Sequence, residues 1–379
     1  MGTRRRFALL ALLGCAAVLV FLAASQRNLE RRARTAPAPP RVPAAAGDTA
    51  TGSEGAPGAA GPAKRIDDDA SADGLAAALV AECAHERPDA ERIDKLLKLL
   101  RERTEPEVLR AAAALLACGT TKAVQLAWSL VTGVLDDEHR TTTDGAVYAI
   151  VGKEATTIFE TSDDRTSFGR KWLAGDLLAR IGTPEAIEAL LRMLEGEDAE
   201  ARQVMPGATN PASVPLLSRA LVSTDSFAMG YIAAALGGTA EGRAELRRLL
   251  DPAAGFDWTR DGAAKVAAFS SLLGTFREAA DLVALDTALR ERPGLAKYLE
   301  QLGNDAGGKV FGGVYVHAPP TKSAQARAIV EFLPGHPGSP LEETLLALLG
   351  SFPERIVDPL LPRLDAAHRE RVEARRRSK

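Results

Sequence analysis

The side chains best suited to chemistry in this 379-residue chain are its histidines and cysteines. No two histidines stand at the i, i+4 spacing that places two metal ligands on one helical face. The densest group of metal-capable residues is residues 136–139, Asp-Asp-Glu-His, a composition typical of a solvated helix end. We therefore expect no metal and no other cofactor. The five histidines are His85, His139, His317, His336 and His368.

Nucleophilic catalysis has one short candidate, in residues 335–340, where His336 and Ser339 lie close in the sequence. Catalysis also requires an oriented base and an oxyanion site. A turn rich in proline and glycine, leading into a helix at Leu341, accounts for these residues more simply. The sequence contains no nucleophile elbow, no His-Glu-x-x-His zinc helix and no phosphate loop. We expect no catalytic residues and no enzyme activity.

Composition indicates what kind of fold must carry these residues. Apolar residues make up 46% of the chain but aromatic residues only 5%. Alanine and leucine dominate the apolar share, and both lose little side-chain freedom in a helix. The composition therefore predicts an all-α protein. The formal net charge of -3 gives no electrostatic case for nucleic acid as a partner.

The chain is organised around residues 177–194, which hold a helix end, a turn and a new helix. Gly182 suits a left-handed helix terminus, Thr183 a capping position and Pro184 the first helical position. A glycine followed closely by a proline occurs again near the C-terminus, as Gly350 and Pro353. We interpret these four residues (Gly182, Pro184, Gly350, Pro353) as structural repeat markers. Further glycines predicted at left-handed helix ends are Gly119, Gly237, Gly274 and Gly303.

These repeats resemble the HEAT repeat family, and more closely its short bacterial form, the HEAT-like repeats of phycobiliprotein lyases. The resemblance is strongest over residues 172–194 and 348–364. It implies a right-handed α-solenoid of stacked antiparallel helix pairs with a face that binds proteins. We assign residues 74–366 to this repeat domain and residues 367–379 to a basic C-terminal tail. The first helices are predicted over residues 75–86, 89–103 and 106–118.

The N-terminus carries a membrane-insertion signal. Three arginines precede residues 7–24, which are uncharged and just long enough to span a bilayer as a helix. We predict a transmembrane anchor over residues 1–25, with a cleaved signal peptide and a lipid anchor at Cys15 as alternatives. Residues 26–73, rich in alanine, proline and glycine, are predicted to be a disordered linker.

Two stretches depart from the repeat pattern. Residues 136–170 are polar at both ends around an apolar middle and predict a long, atypical helix followed by a loop. Residues 303–320 include Phe311 and Tyr315 in a strand-like run interrupted by two glycines. This second stretch is either a packed loop between repeats or an insertion that contacts a partner through those two aromatic residues.

The remaining cysteines end two predicted helices at equivalent positions of adjacent units. An oxidising compartment would allow a disulfide between Cys83 and Cys118, closing a 35-residue interval and stabilising the fold by about 3 to 4 kcal/mol. Two unpaired cysteines in the core are the alternative.

The function predicted from these features is that of a membrane-tethered, HEAT-like scaffold for protein-protein interaction in the bacterial envelope. We expect the inner membrane as its location, with the repeat domain in the periplasm. Alternatives are an enzyme, a lyase or hydrolase, built on a degenerate repeat, and a purely structural spacer. The partner protein is not specified by the sequence, which also indicates no small-molecule substrate.

Overall fold

The computed structural model describes residues 71–163, 169–224, 226–302, 310–311, 314–315 and 320–377. These residues belong to one compact unit, which runs from Arg65 to Lys379. Within the described residues the chain is helical, so the predicted all-α class is confirmed. None of the helices in this part of the chain has the length and apolarity needed to cross a bilayer. The predicted anchor, Cys15 and nearly all of the predicted linker lie outside the described residues.

Eighteen α-helices are described. The first nine are α1 (Ala72–Cys83), α2 (Ala90–Arg101), α3 (Glu105–Cys118), α4 (Thr121–Leu135), α5 (Asp144–Val147), α6 (Lys153–Thr161), α7 (Arg170–Ile181), α8 (Pro184–Glu195) and α9 (Ala199–Val204). The others are α10 (Val214–Ser223), α11 (Ser226–Gly237), α12 (Ala240–Leu250), α13 (Gly262–Thr275), α14 (Ala279–Glu291), α15 (Lys322–Phe332), α16 (Glu342–Ser351), α17 (Glu354–Val357) and α18 (Ala366–Arg377).

Short segments of 3-10 helix and one turn of π-helix link these elements. A π-helical turn, Tyr148–Gly152, joins α5 to α6, so that the atypical long helix predicted after residue 136 is present. Two-residue strands β1 (Val310–Phe311) and β2 (Val314–Tyr315) pair antiparallel. The 3-10 turns are Met205–Gly207, Pro211–Ser213, Pro252–Ala254, Pro293–Leu302, Leu333–Gly335 and Leu361–Arg363.

Local capping chemistry sets many of the helix starts. Thr104 and Glu107 form the predicted capping box, in which the Thr104 backbone N–H donates to Glu107 Oε2 at 3.1 Å. Asp89 accepts from the backbone N–H groups of Glu91 and Arg92 and so caps α2. Because these signals lie within a few residues of the helix start, the sequence predicts them closely.

The helices pack as pairs in two layers. One layer runs through α8, α10, α12 and α14, each in contact with the next. In the other layer α7 contacts the turn Met205–Gly207, which contacts α11, and α11 contacts α13. The pairs α7/α8, α11/α12 and α13/α14 connect the layers. This arrangement is consistent with an α-solenoid, in which each repeat buries its apolar stripe only against its neighbours.

A single apolar core runs through the described helices, from Ala72 to Val372. It is built mainly from alanine and leucine, and its largest fully buried aromatic residues are Phe159, Phe269, Phe276 and Phe332. Full burial of one leucine side chain is worth about 1.5 to 3 kcal/mol. Burial of this continuous core therefore contributes strongly to the stability of the fold.

Three of the glycines predicted at left-handed helix ends have a different role. Among the described residues, Gly119 and Gly182 have the positive φ angles expected, whereas Gly237, Gly274 and Gly350 lie within helices. Close packing explains Gly237, because a Cβ atom there would lie 2.6 Å from Ser271 Oγ of α13. Gly303 lies outside the described residues.

Candidate protein-binding groove

A groove of about 380 Å³ lies between α12 and α14, two neighbours in the same layer. One wall consists of Ala244, Arg247 and Arg248 of α12, and the other of Ala280, Val283, Ala284 and Thr287 of α14. Leu250, Asp251 and Pro252 close one end. The small side chains of α14 leave its backbone close to the groove, which suits contact with an extended or helical segment of another protein.

Val283 gives this groove an unusual apolar wall. Its side chain is 40% exposed, and among the described residues only Val222 is a comparably exposed large apolar residue. Leu250, at the end of the groove, is fully buried. An aliphatic side chain entering the groove would therefore remove Val283 from water.

The α14 wall is held in place by a buried carboxylate. Asp281 has no solvent exposure, and Arg247 Nη1 donates to its Oδ1 at 2.5 Å across the groove end. The backbone N–H groups of Arg277 and Glu278 donate to Asp281 Oδ2 at 2.9 and 3.2 Å. Asp281 thus caps the start of α14 and ties that helix to α12.

Two further guanidinium groups crowd around the same carboxylate. Arg243 is almost fully buried, with its Nε 3.5 Å from Asp281 Oδ2 and its Nη1 3.0 Å from the backbone oxygen of Thr239. Burial lowers the pKa of the Arg277 guanidinium below its ordinary value, and the charge of nearby Arg243 lowers it further. The network therefore fixes the position of α14 relative to α12, and with it the width of the groove.

Arg248 supplies a more accessible positive charge on the groove wall. Its side chain is 49% exposed and lies 2.7 Å from Glu245 Oε2 on the same helix. Its guanidinium also lies over the ring of Phe256, 5.1 Å from the ring centroid. A surface ion pair of this kind exchanges partners at little cost, so Arg248 is available to a carboxylate of a bound segment.

The structure places the repeat markers Gly182 and Pro184 at the turn between α7 and α8. Gly182 ends α7 in the left-handed conformation, and a Cβ atom there would lie 2.3 Å from Asn210 Cβ. Thr183 accepts from the backbone N–H of Ala186, and Pro184 is the first residue of α8. These residues shape the turn and lie outside the groove.

The markers Gly350 and Pro353 are placed differently. Gly350 lies inside α16, where a Cβ atom would make an ordinary 3.4 Å contact with Arg375 Cβ of α18. Pro353 is the residue before α17 rather than its first residue. The left-handed helix end expected at Gly350 is therefore wrong, because the helix continues through it to Ser351.

Phe311 and Tyr315 lie on opposite strands of the short pairing, in which Val310 faces Tyr315 and Phe311 faces Val314. The backbone of β1 contacts α13, and that of β2 contacts α11. The strands therefore lie on the layer opposite to the groove. The structure does not bring Phe311 or Tyr315 together with the groove residues.

Cys83 and Cys118 are both free thiols in the structure, one buried and the other half-buried. Cys83 ends α1 and Cys118 ends α3, as predicted. Burial raises the pKa of the Cys83 thiol, and the nearby Cys118 raises it further.

The two residues considered for catalysis have separate structural partners. The ring of His336 stacks on that of Phe332, with centroids 4.2 Å apart, and its Nδ1 lies 2.8 Å from the Phe332 backbone oxygen. Ser339 Oγ donates to Asp286 Oδ1 at 2.6 Å and accepts from the backbone N–H of Leu341. Neither contact joins the histidine to the serine. No cluster of metal-binding side chains is found among the described residues.

A buried aspartate that the sequence analysis missed links two repeats. Asp176 is 1% exposed and accepts from Trp128 Nε1 of α4 and from Arg180 Nε, each at 2.8 Å. The only signal in the sequence was a single charged residue within the apolar run 172–178. Buried carboxylates need such partners, because unpaired burial of a charge is very costly.

The segment predicted as a basic C-terminal tail is described, up to residue 377, as helix α18, which packs on α16. Arg371 pairs with Glu342 and Glu343, and Arg376 donates to Asp358 Oδ1 at 2.6 Å. These arginines hold α18 on the preceding helices.

Comparison with known proteins yields no matching family, no matching curated protein and no matching solved structure.

Proposed function

We propose that this protein is a HEAT-like repeat scaffold, a right-handed α-solenoid that binds another protein through the groove between α12 and α14. In this proposal the N-terminal segment tethers the repeats to the inner membrane of a bacterium and the repeats lie in the periplasm. The tether and the location rest on the sequence alone, through the charged and apolar pattern of residues 4–24.

The observation that carries the proposal is the groove between α12 and α14. It combines an exposed valine, a row of small side chains and the half-exposed guanidinium of Arg248. A partner segment that offers one aliphatic side chain beside one carboxylate complements these walls. The aliphatic group would contact Val283, and the carboxylate would exchange with Glu245 as the partner of Arg248.

Rigidity of the groove supports this role. The hydrogen bond from Arg247 to the buried Asp281 joins both walls, and two backbone N–H groups hold the Asp281 carboxylate in place, so little ordering of the scaffold accompanies binding. Binding sites that are formed in advance lose less affinity to conformational entropy.

The two exposed valines provide a matched test. We expect Val283→Glu to place a charge in the groove and to lower affinity for the partner by about 100-fold, since it removes apolar contact and buries a carboxylate. Val222→Glu changes an equally exposed valine on α10, outside the groove, and should leave binding unchanged. The measurement is quantitative affinity capture of the full-length chain from detergent-solubilised membranes.

Both variants should melt at the same temperature as the parent, because both positions are exposed. Equal capture of the same stoichiometric partner by parent and Val283→Glu would reject the groove as the binding site. If the parent itself retains no stoichiometric partner, the scaffold proposal fails and the spacer alternative gains support.

A further inference from the structure

The first described repeat places two thiols at the same edge of the fold. Cys83 is the last residue of α1 and Cys118 the last residue of α3. The turns on either side of α2 reverse the chain twice, so α1 and α3 run in the same direction, and the two helices are in contact. Two neighbouring parallel helices that both end in cysteine bring their final side chains to one edge.

The charged groups near Cys83 are consistent with this placement. Burial raises the pKa of the Cys83 thiol most, Cys118 at the end of α3 raises it further, and Lys122 in the first turn of α4 lowers it. Cys118 Sγ lies 4.0 Å from Thr120 Oγ1 in the turn between α3 and α4. Cys118 therefore lies at the two-residue connection between α3 and α4, and the contact of α1 with α3 brings Cys83 to the same end of the helix pair.

We propose that Cys83 and Cys118 form an intramolecular disulfide when the protein meets a disulfide oxidant. The bond fastens α1 to α3. The structure shows both as free thiols. This assignment does not depend on the proposed binding function.

Exposure decides the order of the two chemical steps. The half-buried Cys118 thiolate attacks one sulfur of the oxidant, forms a mixed disulfide and releases one thiolate of the oxidant. The buried Cys83 then loses its proton and attacks Cys118 Sγ, which releases the second thiolate. The oxidant gains two electrons from the two thiols, and both thiol protons end on its two reduced halves.

The bond would act where the repeat array is weakest. Among the described residues α1 packs mainly against α2, α3 and α4, whereas helices in the middle of the array have neighbours on both sides. A terminal repeat that lacks one neighbour frays more readily. A cross-link from α1 to α3 removes the open states in which α1 has separated from the array.

The test is peptide mapping of the full-length protein after equilibration with a millimolar mixture of oxidised and reduced glutathione. We expect one peptide pair linked through Cys83 and Cys118. Amide hydrogen exchange within α1 should slow by about 100-fold or more in the oxidised protein. Both thiols recovered in alkylated form, or each recovered as a separate adduct with glutathione, would overturn the proposal.

Single serine variants provide the control. Cys118→Ser should leave Cys83 largely unmodified by glutathione, because Cys83 is buried, and should abolish the oxidation-dependent slowing of exchange. Cys83→Ser should instead accumulate the mixed disulfide on Cys118. If Cys118→Ser still shows slower exchange after oxidation, the cross-link is not the cause. Mapping of the parent protein requires neither variant to fold.

Discussion

The turn between α7 and α8 and the turn between α16 and α17 look alike in sequence but differ in structure. In the first, Gly182 ends a helix in the left-handed conformation and Pro184 opens the next helix. In the second, Gly350 is an ordinary helical residue and Pro353 precedes a short helix of four residues. Glycine and proline are two residues apart in the first turn and three in the second, and this one-residue difference moves the helix end away from the glycine.

The neighbours of the two glycines show that a glycine is required at position 182 and not at position 350. Asn210 fills the space where a Gly182 side chain would lie, and its Nδ2 donates to the backbone oxygen of Ile181 and to Asp144 Oδ2. Gly350 faces α18 at ordinary contact distance from Arg375. A glycine is therefore required where the backbone has a positive φ angle or where a neighbouring residue occupies the space of a side chain. The sequence pattern alone does not distinguish these positions from an ordinary helical glycine.

The largest effect expected from this difference is that alanine substitutions at the two glycines change the free energy of unfolding in opposite directions. Gly182→Ala combines a left-handed backbone with a clash against Asn210 and should lower the free energy of unfolding by about 2 to 4 kcal/mol. Gly350→Ala replaces a helical glycine and should raise it by up to about 1 kcal/mol. Urea unfolding followed by circular dichroism measures both.

Neither substitution should selectively remove partner binding, because both positions lie outside the groove. If both substitutions changed the free energy of unfolding in the same direction and by a similar amount, the two glycines would be structurally equivalent. Loss of binding in Gly182→Ala with an unchanged melting profile would contradict its structural role.

The second prediction compares two aspartates that pair with arginine, Asp176 in α7 and Asp358 directly after α17. Asp176 is buried and accepts from Trp128 and Arg180, so Asp176→Asn should cost about 1 to 3 kcal/mol through lost charge-assisted hydrogen bonds. Asp358 forms an exposed pair with Arg376, and Asp358→Asn should cost less than about 1 kcal/mol. Thermal denaturation of both variants provides the measurement, and equal losses would refute the distinction between buried and exposed anchors.

The smallest effect expected is a pH dependence of the C-terminal helix α18. A hydrogen bond from Arg371 holds the pKa of Glu342 below its usual value, and the backbone N–H of Gly338 adds to this effect. A carboxyl whose pKa is lowered by folding contributes stability above its unfolded pKa, near 4.3 for glutamate, and loses it as the pH falls further.

We therefore expect amide exchange in α18 to accelerate, relative to the intrinsic rate, as the pH falls below about 4.3, while α7 and α8 remain protected. Glu342→Gln should remove part of this pH dependence, since the amide cannot titrate, and Asp365, whose pKa is lowered by the backbone N–H of His368, accounts for a further part. An α18 that loses protection only together with α7 and α8 would show that the array unfolds as one unit in acid.

Local features of this fold were predictable from the sequence, and the reason is physical. A capping threonine such as Thr104 or Thr183 acts within three residues, so the first residues of α3 and α8 follow from short segments. The helical class followed from the abundance of alanine and leucine. These choices depend on few atoms beyond the segment itself.

Features that require two distant segments were not predictable in this way. The groove exists because Asp281 holds α14 against Arg247 of α12, and 34 residues separate that pair in the sequence. Asp176 carried only a faint signal, and its partner Trp128 lies 48 residues earlier. No short sequence pattern predicts which distant donor forms a hydrogen bond with a given buried carboxylate.

The hydrogen bond from Trp128 to Asp176 also limits how this repeat array can evolve. Repeats joined only by aliphatic contact can be duplicated, deleted or exchanged, because one leucine surface accepts another. A junction that joins a specific indole to a specific carboxylate favours the matching neighbour, since a mismatched one leaves the buried Asp176 with only the donor Arg180 of its own helix. Changes in the number of helix pairs are therefore more costly at the junction between α4 and α7 than at a purely aliphatic one.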